Sequence, residues 1–331
     1  MRHEGTRTQR KALSPHRCLR RSGCAQQARS FAGGLEATIL LVYLFPQCKA
    51  AFLFDSQMNS LNDLKKLSDS LSVNESKIPL LFIGHGSPMN GIEDNEFSEH
   101  WVALGKELTP PRAVLCISAH WFTNGTFVTA MEKPQTIHDF GGFPKQLFDV
   151  QYPAPGAPEI AKETASMIHK TTVGLDHEWG LDHGTWTVVR RMFPEAKIPV
   201  LQLSIDYTKG PQYHYELAKE LSALRKKGVL IIGSGNMVHN LGILDWNLKT
   251  TGYDWAIEMN EKFKQLILSG DHAPLINYQL LGKAAKLSIP TPEHYLPLIY
   301  TLGLKEENES VSFFNDKTLM GSISMTSVRI S

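Results

Sequence analysis

Apolar residues along this chain cluster into short unbroken runs separated by stretches of helical periodicity, the signature of strands covered on both faces. The runs are Pro79–Gly84 (PLLFIG), Ala113–Ser118 (AVLCIS), Phe127–Ala130, Ile198–Leu203 (IPVLQL) and Val229–Gly233 (VLIIG). Between them, the spacing predicts helices over about 97–108, 157–169, 185–193, 211–226 and 253–268. Pro158 at the start of the second helix and Gly228 after Lys226 and Lys227 are natural helix boundaries. No internal repeat or linker divides this part, so it reads as one α/β domain over 77–331, preceded by a helical segment at 58–76.

The first 57 residues follow another pattern. Residues 1–30 are rich in Arg, Ser and Gln without periodicity, and Ala37–Phe45 (ATILLVYLF) is a nine-residue apolar run. A membrane span needs about 20 apolar residues. A basic stretch ahead of a short apolar core reads as a targeting segment, or as sequence upstream of a start at Met58, with no fold in either case.

Charge sharpens the division. The chain of 331 residues carries a formal +1, yet residues 1–57 hold nine Lys/Arg against Glu4, Glu36 and Asp55, while the rest holds 25 Lys/Arg against 30 Asp/Glu. An acidic body argues against a nucleic-acid binder, which needs a basic surface. Cys116 is the one cysteine beyond residue 57, so the body has no internal disulfide and reads as a reduced, cytoplasmic protein without a membrane partner. Eleven of thirteen histidines lie in the body, which makes a metal or acid–base site worth seeking.

Three of these histidines follow predicted strands: His85 after PLLFIG, His120 after AVLCIS, and His239 six residues after VLIIG. Ligands in open α/β sheets bind beyond the carboxyl ends of the strands, where three imidazoles can converge. His294 follows Thr291 and Pro292, which read as N-cap and first residue of a helix, placing His294 in its first turn. Imidazoles without thiolates suit iron, zinc, copper or nickel rather than magnesium or calcium. Each histidine taken singly also fits a hydrogen-bonded core residue.

Two further segments carry chemistry. His138-Asp139-Phe140-Gly141-Gly142-Phe143 reads as a substrate-lining loop able to stack on a flat ligand, or as a plain surface loop. In Asp182-His183-Gly184-Thr185-Trp186, His183 is a proton donor or acceptor oriented by Asp182; alternatively Asp182 caps a helix beside a structural His183. Gly233-Ser234-Gly235 lacks the third glycine of a dinucleotide fingerprint, and neither a nucleophile elbow nor a phosphate-binding loop is present.

Taken together and in order, GHGSPMN, SAHWFT, IHDFGGFP, YPAPG, DHGTW, GSGNMVHNL and PTPEHYLPL resemble the class III extradiol ring-cleavage dioxygenases. Their bacterial 4,5-DOPA dioxygenase-like branch is the most similar, over about 79–328. The resemblance implies a three-layer α/β/α sandwich around a mixed, largely parallel sheet. It also implies O2-dependent cleavage of a catechol, L-DOPA or a relative, to a muconic semialdehyde. Metal ligands then fall on His85, His120 and His294, with His239 as a fourth ligand in zinc-containing members or as acid–base group. The protocatechuate branch has a carboxylate where this chain has His294. One divalent metal is expected, Fe(II) for activity and Zn(II) as also bound in the family. His239 and His183 are the candidate proton carriers; His138, Asp139, Phe140, Trp121 and Trp186 are the candidate substrate contacts. The same histidines also suit a zinc hydrolase or a metal-binding relative without catalysis.

Overall fold

In the computed structural model, which describes residues 77–331, the apolar runs become the inner strands of an eight-stranded sheet. Its strands are β1 (Leu80–Gly84), β2 (Ala113–Thr123), β3 (Thr126–Thr129), β4 (Val173–Asp176), β5 (Val200–Asp206), β6 (Val229–Gly235), β7 (Val311–Phe314) and β10 (Ser327–Ile330). A separate two-stranded ribbon pairs β8 (Thr318–Leu319) with β9 (Ile323–Ser324). Strand order is β4-β3-β5-β2-β6-β1-β10-β7. The central four, β5-β2-β6-β1, run parallel, and antiparallel pairs join β3 to β5 and β10 to β1.

Alternate side chains of these strands enter two cores, one on each face. Leu80, Phe82, Leu115, Ile117 and Ile231 face one side, where they meet helices α2 (Pro158–Met167), α4 (Pro211–Lys219), α5 (Asp254–Ser269) and α6 (Leu296–Gly303). Leu81, Ile83, Val114, Cys116 and Ile232 face the other, against α1 (Glu96–Glu107) and α3 (His183–Met192). Burial on both faces explains the unbroken apolar runs, and the result is the expected three-layer α/β/α arrangement.

Several boundaries differ from the sequence reading. The predicted helix over 211–226 breaks after Lys219, where Glu220 and Leu221 bond three residues back instead of four. The short helix that follows, Ser222–Lys226, buries Arg225 against the Ile78 carbonyl and the Glu309 carboxylate. β5 runs on to Asp206, and β2 continues through His120 to Thr123. β4, β7 and β10 were not anticipated: each has four residues, and β10 becomes a strand by pairing with β1 through Leu80–Ile330. The expectations for residues 1–57 and 58–76 lie outside the described residues. Among the described residues no helix is long and apolar enough to cross a membrane.

Candidate metal centre

β1, β6 and β2 are neighbours in the sheet, so their carboxyl ends open on one edge, and that edge gathers the histidines. His85 follows β1 directly, its backbone N–H bonded to the Gly235 carbonyl at the end of β6. His120 lies within β2, where pairing with β5 shifts register between Ile117 and Phe122. Such a bulge re-aims side chains. His183 opens α3, and His239 lies past β6, its backbone paired with Ile323.

His294 is placed differently from its prediction. Thr291 is not a helix cap; Tyr295 and Leu296 both bond the Pro292 carbonyl in a single turn, and α6 starts at Leu296. Pro297 has no N–H to continue a ladder back to Glu293, so the helix cannot begin earlier. The turn is pinned to β6, with Asn236 N–H on the His294 carbonyl at 2.8 Å.

The rings meet closely. His85 and His120 bring their Nε2 atoms to 3.2 Å, and His294 lies with ring centroids 5.4 and 5.0 Å from them. His120 and His183 approach to 3.9 Å, and His239 stacks on His294 at 3.6 Å and 8°. Ligand atoms fall into two groups, each within 4.8 Å: His85, His120, His183, and His239, Glu293, His294.

A hydrogen bond fixes the His85 proton, and a nearby charge biases that of His120. Ser234 Oγ donates to the Gly184 carbonyl at 2.5 Å, so it accepts from His85 Nδ1 at 3.0 Å and leaves His85 Nε2 bare. Asp139 Oδ2 lies 3.2 Å from His120 Nδ1, and its negative charge favours the tautomer with the proton on that nitrogen. In that tautomer two lone pairs meet 3.2 Å apart and a cation between them relieves their repulsion, whereas a proton on His120 Nε2 makes the same pair a hydrogen bond. Zinc–imidazole bonds of roughly 2.0–2.1 Å in tetrahedral geometry put neighbouring ligand nitrogens about 3.3 Å apart. The donor set therefore fits a metal.

Burial keeps His85, His120, His239 and His294 neutral. Burial, helped by charge on the neighbouring imidazoles, holds His85 and His294 well below the ordinary histidine value. Burial also lowers His120 to about 3 and His239 to about 4. Neutral imidazole is the ligand form.

Asp182 takes the capping role. Its carboxylate accepts from the Thr185 N–H, Ser118 Oγ and Gln202 Nε2, while His183 is oriented by Asp139 instead. Burial, then the charge of Asp139, raises the Asp182 carboxyl. The orienting partner comes from the loop because an N-cap side chain must turn back onto its own helix.

The loop forms an aromatic cluster in which Phe140 packs on Phe143, Phe148 and His183. His138 Nε2 bonds the Val150 carbonyl at 3.0 Å, anchoring the loop. Trp121 and Trp186, expected as substrate walls, are covered. Trp121 stacks on Trp179, and Trp186 is 0% exposed beneath His138 and Phe140. Trp186 is the loop's floor, with Nε1 donating to the Ile137 carbonyl at 2.9 Å. Trp186→Ala is expected to cost about 3–5 kcal/mol, read as a lower urea midpoint at unchanged slope.

Glu293 and Ser234 were missed by sequence reasoning. Glu293 Oε1 lies 3.3 Å from His294 Nδ1, and its place beside a histidine was the available signal. Ser234 had none, since its role depends on β1 lying beside β6. A recess beside Gly86 is lined by Ser87, Asn90, Phe97, Ile323 and Met325.

The chain is similar to known proteins over most of its length. The family described as the catalytic LigB subunit of aromatic ring-opening dioxygenase matches residues 79–327. The chain is 47% identical over 268 residues to the 4,5-DOPA dioxygenase extradiol of Escherichia coli (strain K12), covering 80% of this chain and 98% of that protein. It is 34% identical over 242 residues to the 4,5-DOPA dioxygenase extradiol of Beta vulgaris, covering 71% and 90%. A crystal structure of an uncharacterised Escherichia coli K12 protein superimposes with a TM-score of 0.67 and 43% identity, covering 77% of this chain and all of the other.

Proposed function

Because this chain belongs to the family of the catalytic LigB subunit of aromatic ring-opening dioxygenase, we propose that its imidazole cluster opens a side-chain-bearing catechol, L-DOPA first among candidates. The chain is an extradiol dioxygenase, a metal-dependent oxidoreductase that takes a catechol-type substrate and O2. The finer reading is 4,5-type cleavage to a muconic semialdehyde, with Fe(II) as the active metal and Zn(II) as an alternative occupant. The approach of His85 Nε2 and His120 Nε2 to 3.2 Å, close to the spacing of two nitrogens on one metal, carries the metal assignment.

His85, His120 and His294 would hold the metal. When bound, ferrous iron supplies a common site for the catechol oxygens and O2 and a route for electrons between them. His239, neutral and stacked beside His294, takes a catechol hydroxyl proton on its ring and later returns one. His183 keeps its Nδ1 proton on Asp139 and offers Nε2 as the second proton acceptor. Phe140 covers the aromatic ring, and the recess beside Gly86 takes its side chain. The buried, unpaired Cys116 fits a reducing cytoplasm.

The test loads metal-free protein with ferrous iron under argon, then adds L-DOPA or catechol with O2. Oxygen uptake equimolar with catechol loss is expected. If a panel of catechols with varied side chains leaves oxygen untouched, the reading fails. Ester hydrolysis by the zinc form without O2 would mark a hydrolase instead.

A further inference from the structure

We propose that Asp139 is a positioning residue that sets the tautomers of His120 and His183 together and so ties the aromatic loop to the metal centre. The inference rests on the metal assignment given above. Its Oδ1 accepts from His183 Nδ1 at 3.0 Å and from the His183 backbone N–H at 2.9 Å. Its Oδ2 faces His120 Nδ1 at 3.2 Å. One carboxylate thus joins a loop, the start of α3 and the bulge of β2.

An ionised carboxylate only accepts hydrogen bonds. His183 must therefore carry its proton on Nδ1, and the carboxylate charge facing His120 Nδ1 favours the same tautomer there, so that both rings present a bare Nε2 toward the cluster. The Asp139 side chain is 18% exposed, so the contacts are partly shielded from competing water.

Among the described residues, no other group meets the Nδ1 atom of either ring. Asp182, adjacent to His183 in sequence, spends its oxygens on the Thr185 N–H, Ser118 and Gln202. Without Asp139, a proton on Nε2 becomes available to both imidazoles and occupies the lone pair a metal needs. Carboxylate partners of metal-bound histidines act in this way, fixing ring orientation and raising basicity. Phe140 and Gly142 (φ +78°) follow directly, so movement of the aromatic loop moves the acceptor of two histidines at once.

The test compares full-length wild type with D139N, D139A and D139E. Nitrogen NMR of labelled histidine rings, on metal-free protein, is expected to show His120 and His183 as Nδ1–H in wild type. D139A should lose both assignments; D139N, with a single side-chain acceptor, should keep one; D139E should restore part of both. Zinc affinity, measured by competition with a chromophoric chelator, is expected to fall about 10–100-fold in D139A. Unchanged ring signals, or a stability loss without a tautomer change, overturns the proposal. A wild type that binds no metal overturns the metal assignment instead, and the ring tautomers still decide the role of Asp139.

Discussion

His120→Ala is expected to abolish oxygen consumption, lowering kcat/KM by at least about 10³-fold, equivalent to about 4 kcal/mol. The same substitution should leave the protein unable to retain metal through dialysis. His120 meets three other rings: its Nε2 lies 3.2 Å from His85 Nε2, and its centroid 3.9 Å from that of His183 and 5.0 Å from that of His294. Its removal deletes one bare nitrogen and frees Asp139 Oδ2 while leaving the Asp139–His183 bonds in place. The loss should therefore fall on metal content and rate rather than on folding. Metal per chain, oxygen uptake and the urea midpoint measured on one preparation separate these effects. A His120→Ala protein that keeps both its metal and its rate removes His120 from the site.

Gly235→Ala is expected to cost about 1–3 kcal/mol, the range for forcing an extra carbon into a packed interior. A Cβ there would meet the His294 carbonyl oxygen at 2.1 Å and its carbon at 3.0 Å. The obstacle is backbone, so no rotamer change relieves it. The Gly235 carbonyl also holds the His85 N–H, and the next residue holds the His294 carbonyl. Displacing the turn must therefore move two proposed ligands, and zinc affinity should fall with stability. Gly141→Ala is the control: nothing lies within 4 Å of its added Cβ, and its midpoint should not move. Equal midpoints and equal zinc affinities for the two variants would show that the close approach at Gly235 is unimportant.

Much of the sheet could be read from the chain because its inner strands are buried on both faces. PLLFIG, AVLCIS and VLIIG leave no polar face to obscure them, and they became β1, β2 and β6. The four-residue strands β4, β7 and β10 lack such runs and owe their conformation to a neighbour already in place. The end of β2 was hidden for a related reason. Strand pairing with β5 resumes beyond a register shift, which local pattern does not encode.

The site divides along similar lines. The sequence by itself determined the residue types, the order of the motifs and the delivery of His85, His120 and His239 to the carboxyl edge of the sheet. It did so because apolar periodicity is local and a parallel sheet sends successive strand ends to one edge. Tertiary structure alone decided the partners. Asp139 rather than Asp182 orients His183, Ser234 sets the tautomer of His85, and Trp186 lies buried beneath the loop. Hydrogen-bond partners are chosen by distance and direction in space. Residues 44 and 149 positions apart meet here, and sequence adjacency carries no information about such encounters.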